Sequence, residues 1–278
     1  MRPPHSPLPL PITLVQSDIA WEDPASNFAH IRDLLSAAPP TPGGILVLPE
    51  MFPTGFSFNR EAVANAAKPA RDFLHDLAKE TQCLTLGGVA STIESTNPNP
   101  SQPWGRNEAF AFNPAGTELV RYRKVRTFSY TEEAKHFERG REIIVFEYAG
   151  WKICPLICYD LRFPELFRAG LDQGADLFVV IANWPSARED HWVTLLRARA
   201  IENQAFVIGV NRSGTDPKYN YSGRSLAIDP HGAVLADAGN APGAHHLTLD
   251  REALLSWRSE FPAWRDSIPP TELNPPTP

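Results

Sequence analysis

Short apolar runs alternate along this chain with segments of helical periodicity, and this alternation limits the folds that the chain can adopt. Six runs are rich in Val, Ile and Leu, are bounded by Pro, Gly, Asp or Asn, and predict strands. They are Ile12–Ile19, Ile45–Leu48, Leu84–Val89, Trp151–Cys158, Leu177–Ala182 and Ala205–Val210. Four intervening segments carry apolar residues at three- and four-residue spacing and predict helices, namely Ala25–Ala37, Ala70–Glu80, Glu165–Asp172 and Ala187–Asn203. The pattern predicts an α/β fold with helices on the outer face of a sheet.

Three turn sequences add antiparallel strand pairs to this plan. Each contains Gly, and two also contain Pro, so they supply the backbone geometry of a tight turn. The turns separate Ala109–Phe112 from Glu118–Lys124, Ile143–Glu147 from Trp151–Cys158, and Arg224–Ile228 from Val234–Ala238. The sequence therefore predicts mixed sheets.

Proline marks both ends of the chain. Five of the 28 prolines lie in residues 1–11 and five in the last ten residues. Because proline lacks an amide proton and has a fixed φ, we predict extended, poorly paired tails at residues 1–11 and 267–278. No linker long enough to divide domains interrupts residues 12–266, which we predict to form a single domain.

The composition argues against several classes of function. The net charge of −6 gives no attraction to nucleic acid or anionic lipid, and no run of about 18 apolar residues could span a membrane. Three cysteines, an odd and low number, indicate a reducing compartment. The first residues also lack the apolar stretch of a secretory signal. We therefore expect a cytoplasmic protein whose main partners are neither nucleic acid nor membrane.

Three predicted strands end in unlike reactive groups. A carboxylate, Glu50, follows Ile45–Leu48, an ammonium, Lys124, ends the hairpin strand, and a thiol, Cys158, ends the strand before a helix. Ligands of open α/β sheets bind at the carboxyl ends of strands, so these groups could meet there. Taken singly, each has an ordinary interpretation: a solvated acid, a basic surface stretch and a buried core thiol.

The sequence around these groups resembles the nitrilase or carbon–nitrogen hydrolase superfamily, whose members use a Glu–Lys–Cys triad. The matching motifs are Leu48-Pro49-Glu50-Met51-Phe52, Tyr122-Arg123-Lys124-Val125 and Ile157-Cys158-Tyr159-Asp160-Leu161-Arg162-Phe163-Pro164-Glu165. The resemblance extends from about Ile12 to Leu249. Pro49-Glu50-Met51-Phe52-Pro53-Thr54-Gly55-Phe56 and Asn183-Trp184-Pro185 are similar to the omega-amidase branch. The resemblance implies a four-layer αββα sandwich and association into homodimers.

The resemblance also implies a reaction. Omega-amidases hydrolyse the terminal amide of 2-oxoglutaramate or 2-oxosuccinamate, with water as co-substrate, through a cysteine thioester. Cys158 would be the nucleophile, Glu50 would carry protons, and Lys124 would stabilise the oxyanion. The family has a second glutamate after the lysine; Glu133 suits its spacing better than Glu132, which remains the alternative. Neither a metal nor an organic cofactor is expected.

Substrate-binding residues are predicted from the neighbourhood of the triad. A guanidinium can bind both oxygens of the substrate carboxylate, and Arg188 is our candidate. Among five nearby aromatic residues we expect Tyr159 and Trp184 to line the pocket, and Phe52, Phe56 and Phe128 to belong to the core. Buried-core roles are also expected for Cys83 and Cys154.

Several alternatives stay open at the level of sequence. A nitrilase, an aliphatic amidase or an N-carbamoyl-amine hydrolase would share the triad and differ in the pocket walls. A papain-like protease would need a histidine base, and no papain-type context surrounds Cys158. A catalytically idle interaction protein is a further possibility. For a homodimer, the segment Ala187–Asn203, with its apolar Trp192, Leu195 and Leu196, and the C-terminal tail are candidate interface elements.

Overall fold

Two six-stranded mixed sheets form the centre of the molecule in the computed structural model, which describes residues 9–93 and 103–266. The strands are β1 (Leu10–Gln16), β2 (Ile45–Val47), β3 (Leu84–Thr92), β4 (Gly105–Phe112), β5 (Glu118–Arg123), β6 (Phe146–Tyr148), β7 (Trp151–Ile157), β8 (Leu177–Ala182), β9 (Phe206–Asn211), β10 (Ser213–Thr215), β11 (Asn220–Ser222), β12 (Leu226–Ile228), β13 (Val234–Asp237) and β14 (Gly243–Leu249). The first sheet has the order β14-β1-β2-β3-β4-β5 and the second β13-β12-β9-β8-β7-β6, while β10 and β11 form a separate hairpin.

The described residues form six α-helices, four of which cover the outer faces of the two sheets. They are α1 (Pro24–Ala37), α2 (Arg60–Thr81), α3 (Glu133–His136), α4 (Pro164–Asp172), α5 (Glu189–Asn203) and α6 (Arg251–Glu260). α1 and α2 pack on the first sheet, and α4 and α5 on the second. The inner faces of the two sheets share one large hydrophobic core. The expected four-layer αββα sandwich is confirmed.

Alternation along the strands separates the two faces of the first sheet. In β2, Ile45 and Val47 point into the core between the sheets, whereas Leu46, like Leu48 just beyond it, packs with the residues under α1 and α2. The central strands are therefore apolar on both faces, which explains their continuous Val, Ile and Leu runs.

Strand pairing follows the turn sequences. The pairs β4–β5, β6–β7 and β12–β13 are antiparallel, as predicted. Parallel pairing joins β1 to β2, β2 to β3, β7 to β8 and β8 to β9. The parallel strands bring their carboxyl ends to one edge of each sheet.

Some predicted boundaries are wrong. Leu10 and Pro11, assigned to the N-terminal tail, belong to β1 and pair with Leu249 and Thr248 of β14. Pro9 directly precedes β1. The other predicted tail residues, 1–8 and 267–278, lie outside the described residues. The hairpin β10–β11 was not predicted, because strands of three residues carry little periodic signal, and helix α6 was also not predicted.

Two helices also differ from their predicted bounds. α2 begins at Arg60, capped by the Asn59 side chain, and includes Pro69, so the predicted start at Ala70 is too late. The segment predicted as one helix from Ala187 begins instead with a 3₁₀ turn, Ser186–Arg188, before α5. None of the helices in the described ranges is long and apolar enough to cross a bilayer.

Candidate active site

The ends of three strands bring Glu50, Lys124 and Cys158 together. Glu50 follows β2 and Lys124 follows β5 in the first sheet, whereas Cys158 follows β7 in the second. Nζ of Lys124 lies 2.9 Å from Oε1 of Glu50. The charges of Glu50 and Lys124 both act on the pKa of the Cys158 thiol, which donates to the main-chain O of Asn183 at 4.0 Å and lines a surface cavity together with Lys124. The two sheets thus supply the acid and amine from one side and the thiol from the other.

Side-chain alternation explains how Lys124 reaches this place. Val120 and Tyr122 of β5 point into the core between the sheets, and Lys124 continues the same row one step beyond the strand. Ala111 and Ala109 form the equivalent row on β4, and it ends at Asn107. Lys124 and Asn107 are therefore buried where the inner core ends.

Both reactive turns use strained backbone. Met51, directly after Glu50, has φ 43°, and Cys158 has φ 47°, in the left-handed region that non-glycine residues rarely adopt. The turn after β2 is held by two main-chain bonds, Gly88 N to Pro49 O at 3.1 Å and Phe52 N to Gly88 O at 3.2 Å. Neighbouring structure thus fixes the direction in which these side chains project.

Two carboxylates hold the Lys124 ammonium. Nζ donates to Glu50 Oε1 at 2.9 Å and to Glu133 Oε1 and Oε2 at 2.9 and 3.1 Å, and all three side chains are buried. Burial by itself lowers the pKa of Lys124, but the charges of Glu133 and Glu50 outweigh it, so the pKa is raised. Lys124 is therefore a permanent cation in the site.

The structure separates the two candidate glutamates. Glu133 begins α3, is fully buried, and accepts a further hydrogen bond at 2.5 Å from the main-chain N–H of Phe128. Glu132 is exposed and pairs with Lys135 at 2.7 Å. Glu133, and not Glu132, is placed to hold and orient Lys124.

Two asparagines that the sequence analysis did not single out as site residues complete the network. Asn107 Nδ2 donates to Glu50 Oε1 at 2.7 Å and to Glu133 Oε1 at 3.1 Å. Asn183 donates through its main-chain N–H to Glu50 Oε2 at 2.8 Å and through Nδ2 to Glu50 O at 2.6 Å. The even spacing of Asn107 from Ala109 and Ala111 is the sequence signal that could have identified it as an inward-facing polar residue.

The environment of Cys158 keeps its proton on sulfur in the free protein. Burial is the largest cause that raises the pKa of the thiol, the nearby Glu50 and Glu133 carboxylates add to it, and Lys124 opposes them. A neutral thiol beside a hydrogen-bonded carboxylate is therefore the resting arrangement. Proton transfer from Cys158 to Glu50 would produce the reactive thiolate.

A cavity with an empty volume of about 440 Å³ opens above the thiol. Tyr159, Trp184 and Arg188 line it, as expected of substrate-contacting residues. Phe52 lies in the core, packed near Phe28 and Phe73, which also agrees with expectation. The expectation that Phe56 and Phe128 are core residues is wrong, since the turn after β2 and the loop after β5 carry both to the cavity wall. The further lining residues are Thr131, Arg162, Asn183, Pro185, Tyr219 and Tyr221.

Two arginines give the lining of the cavity positive charge. The Arg188 guanidinium lies 5.6 Å from the ring centre of Phe128, and that of Arg162 lies 4.8 Å from the ring centre of Trp184. Burial lowers the pKa of Arg162, and the positive charge of Arg188 lowers it further. Trp184 Nε1 donates to the main-chain carbonyl of Arg188 at 2.7 Å, which fixes the turn before α5. An anionic group would be stabilised between these guanidinium groups.

The β10–β11 hairpin forms the remaining wall. It supplies Tyr221, whose hydroxyl donates to Asp216 at 2.6 Å, and the neighbouring Tyr219. The buried guanidinium of Arg212 lies 4.4 Å from the ring centre of Tyr221 and supports it from behind. Across the described residues, no group of three His, Cys, Asp or Glu side chains is placed to hold a metal ion.

Comparisons with known proteins agree with this geometry. Residues 11–259 match the carbon–nitrogen hydrolase family model. The chain is 38% identical to an omega-amidase, YafV, of Yersinia enterocolitica over 93% of this chain and 96% of that protein. It is 32% identical to a 2-oxoglutaramate amidase of Bacillus subtilis over 92% and 96% of the two chains.

A solved structure of a carbon–nitrogen hydrolase superfamily protein has a similar fold. A carbon–nitrogen hydrolase superfamily protein from Xanthomonas campestris, with an arsenic adduct in its active site, superposes with a TM-score of 0.84. It is 32% identical, and the match covers 94% of this chain and 98% of that one. The predicted superfamily and its omega-amidase-like branch are confirmed, and so is the expectation of an amidase. This chain belongs to the carbon–nitrogen hydrolase family.

Proposed function

We propose that this enzyme hydrolyses a terminal carboxamide to a carboxylate and ammonia through a thioester on Cys158, as an omega-amidase. The observation that carries the proposal is the buried Glu50–Lys124–Glu133 network beside the cavity-lining thiol. That network supports the proposal, because a carboxylate that could accept a proton and a charged ammonium lie beside a thiol that could act as a nucleophile. The relatives described above are named as an omega-amidase and a 2-oxoglutaramate amidase, which supports the same activity.

In the first half-reaction, Glu50 takes the thiol proton and the sulfur attacks the amide carbon. The carbonyl electron pair moves onto oxygen, where Lys124 and the main-chain N–H of Tyr159 stabilise the negative charge. Collapse of this intermediate breaks the C–N bond. The nitrogen receives the proton from Glu50 and leaves as ammonia, and an acyl thioester remains on Cys158.

In the second half-reaction, water replaces ammonia. Glu50 takes one proton from the water while its oxygen attacks the thioester carbon, and the same cation and N–H stabilise the new oxyanion. Collapse breaks the C–S bond, and the sulfur recovers the proton from Glu50. One water is consumed and one carboxylic acid is released, so the enzyme returns to its starting state.

We further propose that the guanidinium of Arg188 binds the carboxylate at the far end of the substrate, with Tyr159 and Trp184 as walls. A 2-oxo dicarboxylic monoamide such as 2-oxoglutaramate or 2-oxosuccinamate carries its carboxylate and its amide at opposite ends. The proposal is supported by the lining of the cavity, which includes both the Cys158 thiol and the guanidinium groups of Arg162 and Arg188.

Alternatives from the same superfamily are less well supported. A nitrilase, an aliphatic amidase or an N-carbamoyl-amine hydrolase would share the triad, but the relatives reported above do not favour them. A papain-like protease is disfavoured because the base beside the thiol is a carboxylate. An idle interaction protein would have no physical need for a buried cation and two carboxylates beside a thiol.

The activity is tested by ammonia release from 2-oxoglutaramate, glutamine, asparagine, a nitrile and an N-carbamoyl amine. The 2-oxo monoamide should be turned over with the highest kcat/KM. Cys158→Ala should abolish turnover, and Cys83→Ala, which alters a buried thiol of the first sheet, should retain it. Full turnover by Cys158→Ala would contradict the mechanism.

Substitution of Arg188 tests the substrate assignment separately. Arg188→Ala should raise KM for 2-oxoglutaramate by about tenfold or more, because a charge-assisted, two-oxygen contact is lost. KM for an uncharged amide should change little. Equal effects on both substrates would remove Arg188 from the carboxylate site.

Two further expectations remain proposals. We propose a homodimer, with the exposed Ile201 of α5 near the contact. Trp192 and Leu196 are excluded as contacts because both are fully buried within the chain, and Leu195 packs on the same core. Light scattering at micromolar concentration should give twice the chain mass, and a monomer would refute this. We propose the cytoplasm as the compartment, because all three cysteines are unpaired and the nucleophile must stay reduced.

A further inference from the structure

We propose that Asp160 is a positioning residue that fixes Lys124 relative to Cys158. This inference rests on the proposed function, because it assigns Lys124 and Cys158 to the reaction. Asp160 lies in the 3₁₀ turn Cys158–Arg162, two residues after the thiol, and its side chain is fully buried. It does not line the cavity, so it would act through the groups that do.

The Asp160 carboxylate accepts three hydrogen bonds from two segments of the chain. Oδ2 accepts from the Tyr122 hydroxyl at 2.8 Å and from the main-chain N–H of Ile157 at 3.0 Å. Oδ1 accepts from the main-chain N–H of Arg126 at 2.8 Å. A buried carboxylate with all of these partners satisfied holds each of them in a defined place.

The position of these donors along the chain gives the bonds their significance. Tyr122 and Arg126 stand two residues before and two residues after Lys124, and Ile157 directly precedes Cys158. One side chain therefore clamps the strand end that carries the ammonium, on both sides, to the strained turn that carries the thiol. Those two segments belong to different sheets, so no strand pairing sets the distance between them.

Only a carboxylate can satisfy all three donors. In Asp160→Asn, one oxygen is replaced by an NH₂ group, which in either orientation faces a main-chain N–H of Arg126 or Ile157. At least one bond of the clamp is then replaced by a contact between two donors. Because a displacement of about 1 Å can lower a rate by about 10²-fold, loss of the clamp should be visible in kcat.

Asp176 supplies a matched control. It is also buried, and its carboxylate accepts from the main-chain N–H of Lys152 at 3.2 Å and from Arg251 at 2.9 Å and Arg258 at 3.4 Å. It precedes β8, at the end of that strand opposite to the active site. Asp176→Asn therefore perturbs a similar buried carboxylate without touching either reactive segment.

The experiment compares the wild-type enzyme with Asp160→Asn and Asp176→Asn. We expect Asp160→Asn to lower kcat for 2-oxoglutaramate by about 10²-fold and to change KM by less than about threefold, because the substrate contacts stay in place. Asp176→Asn should lower the melting temperature and leave kcat within about twofold. An unchanged kcat in Asp160→Asn, or an equal loss in Asp176→Asn, would overturn the inference.

Two additional measurements keep the test decisive. If Asp160→Asn does not fold, Tyr122→Phe removes one donor and keeps the ring; its kcat should fall about tenfold, and an unchanged value would refute the clamp. The rate of Cys158 alkylation by iodoacetamide, followed by peptide mass, requires no substrate and should fall in Asp160→Asn but not in Asp176→Asn. Failure of the wild type to release ammonia from any amide would reject the proposed function. Equal rates of Cys158 alkylation in the wild type and Asp160→Asn would reject the positioning role, whatever the result with amides.

Discussion

At the scale of single residues, the site is built around a buried cation. A lysine removed from water is costly unless opposite charges compensate it, and here Glu50 and Glu133 both contact Nζ of Lys124. Asn107 donates to both carboxylates and so offsets part of their mutual repulsion. The arrangement carries one more negative than positive charge, and the two carboxylates help to raise the pKa of the Cys158 thiol.

Separate substitution of Glu132 and Glu133 by glutamine tests which of them orients Lys124. In Glu133→Gln an NH₂ group faces either Lys124 Nζ or the main-chain N–H of Phe128, since both oxygens already accept hydrogen bonds. We expect kcat to fall by about 10²-fold. Glu132→Gln changes an exposed ion pair and should keep kcat within about twofold. Steady-state ammonia release would check this, and the reverse order of effects would transfer the role to Glu132.

At the scale of elements, the strands do more than carry residues to one edge. β3 contributes no reactive side chain, but its main chain holds the turn that bears Glu50. A Cβ added to Gly88 would lie 2.6 Å from Cα of Glu50, 2.8 Å from N of Met51 and 2.9 Å from Cδ1 of Ile181. Glycine is therefore required here for close approach between the turn, β3 and the second sheet.

Gly88→Ala should displace the Glu50 turn. We expect kcat to fall about tenfold or more, because the proton carrier moves relative to the thiol, together with a lower melting temperature. Gly170→Ala is the control: its Cβ would press on the side chains of Phe178 and Cys154 under α4, so it should destabilise the fold and spare kcat. Equal kcat values in both variants would show that the β3 contact does not position Glu50.

At the scale of the whole molecule, the buried Asp160 carboxylate lowers the free energy of unfolding at neutral pH. Burial raises the pKa of Asp160 from 3.8 to about 6, although its main-chain and Tyr122 hydrogen bonds and the Lys124 charge act in the opposite direction. The folded protein therefore binds this proton more tightly than the unfolded chain does. A charged Asp160 clamps the reactive segments at neutral pH, yet the neutral form would be cheaper to bury.

The sign of the resulting pH dependence follows from linkage. Between pH 6 and about pH 4 the folded state holds the Asp160 proton and the unfolded state does not, so this group makes the free energy of unfolding increase as the pH falls. The full effect is about 3 kcal/mol. Urea unfolding of the wild type and Asp160→Asn at several pH values should show this slope in the difference between them. A difference that is constant with pH would contradict the shifted pKa.

Much of the architecture could be predicted from local pattern. The apolar runs, their polar boundaries and the Gly-containing turns predicted most strands of both sheets, because burial on both faces demands continuous Val, Ile and Leu. The predicted start of α2 at Ala70 was wrong. The helix begins at Arg60 and includes Pro69, which it tolerates because its apolar face packs on the first sheet. The hairpin that carries Tyr221 gave no periodic signal, because each of its strands has only three residues.

The sequence by itself determined the strand end at which Glu50, Lys124 and Cys158 each stand, because this depends on local periodicity, and its motifs predicted these three as the reactive groups. The tertiary structure alone decided what surrounds them. In the structure Glu133 contacts Lys124 and Glu132 does not, and Asn107 and Asn183 donate to the Glu50 carboxylate. Phe56 and Phe128 line the cavity, and Asp160 joins segments of the two sheets by hydrogen bonds. These outcomes depend on distances between segments remote in the chain, which side-chain alternation within one strand does not encode.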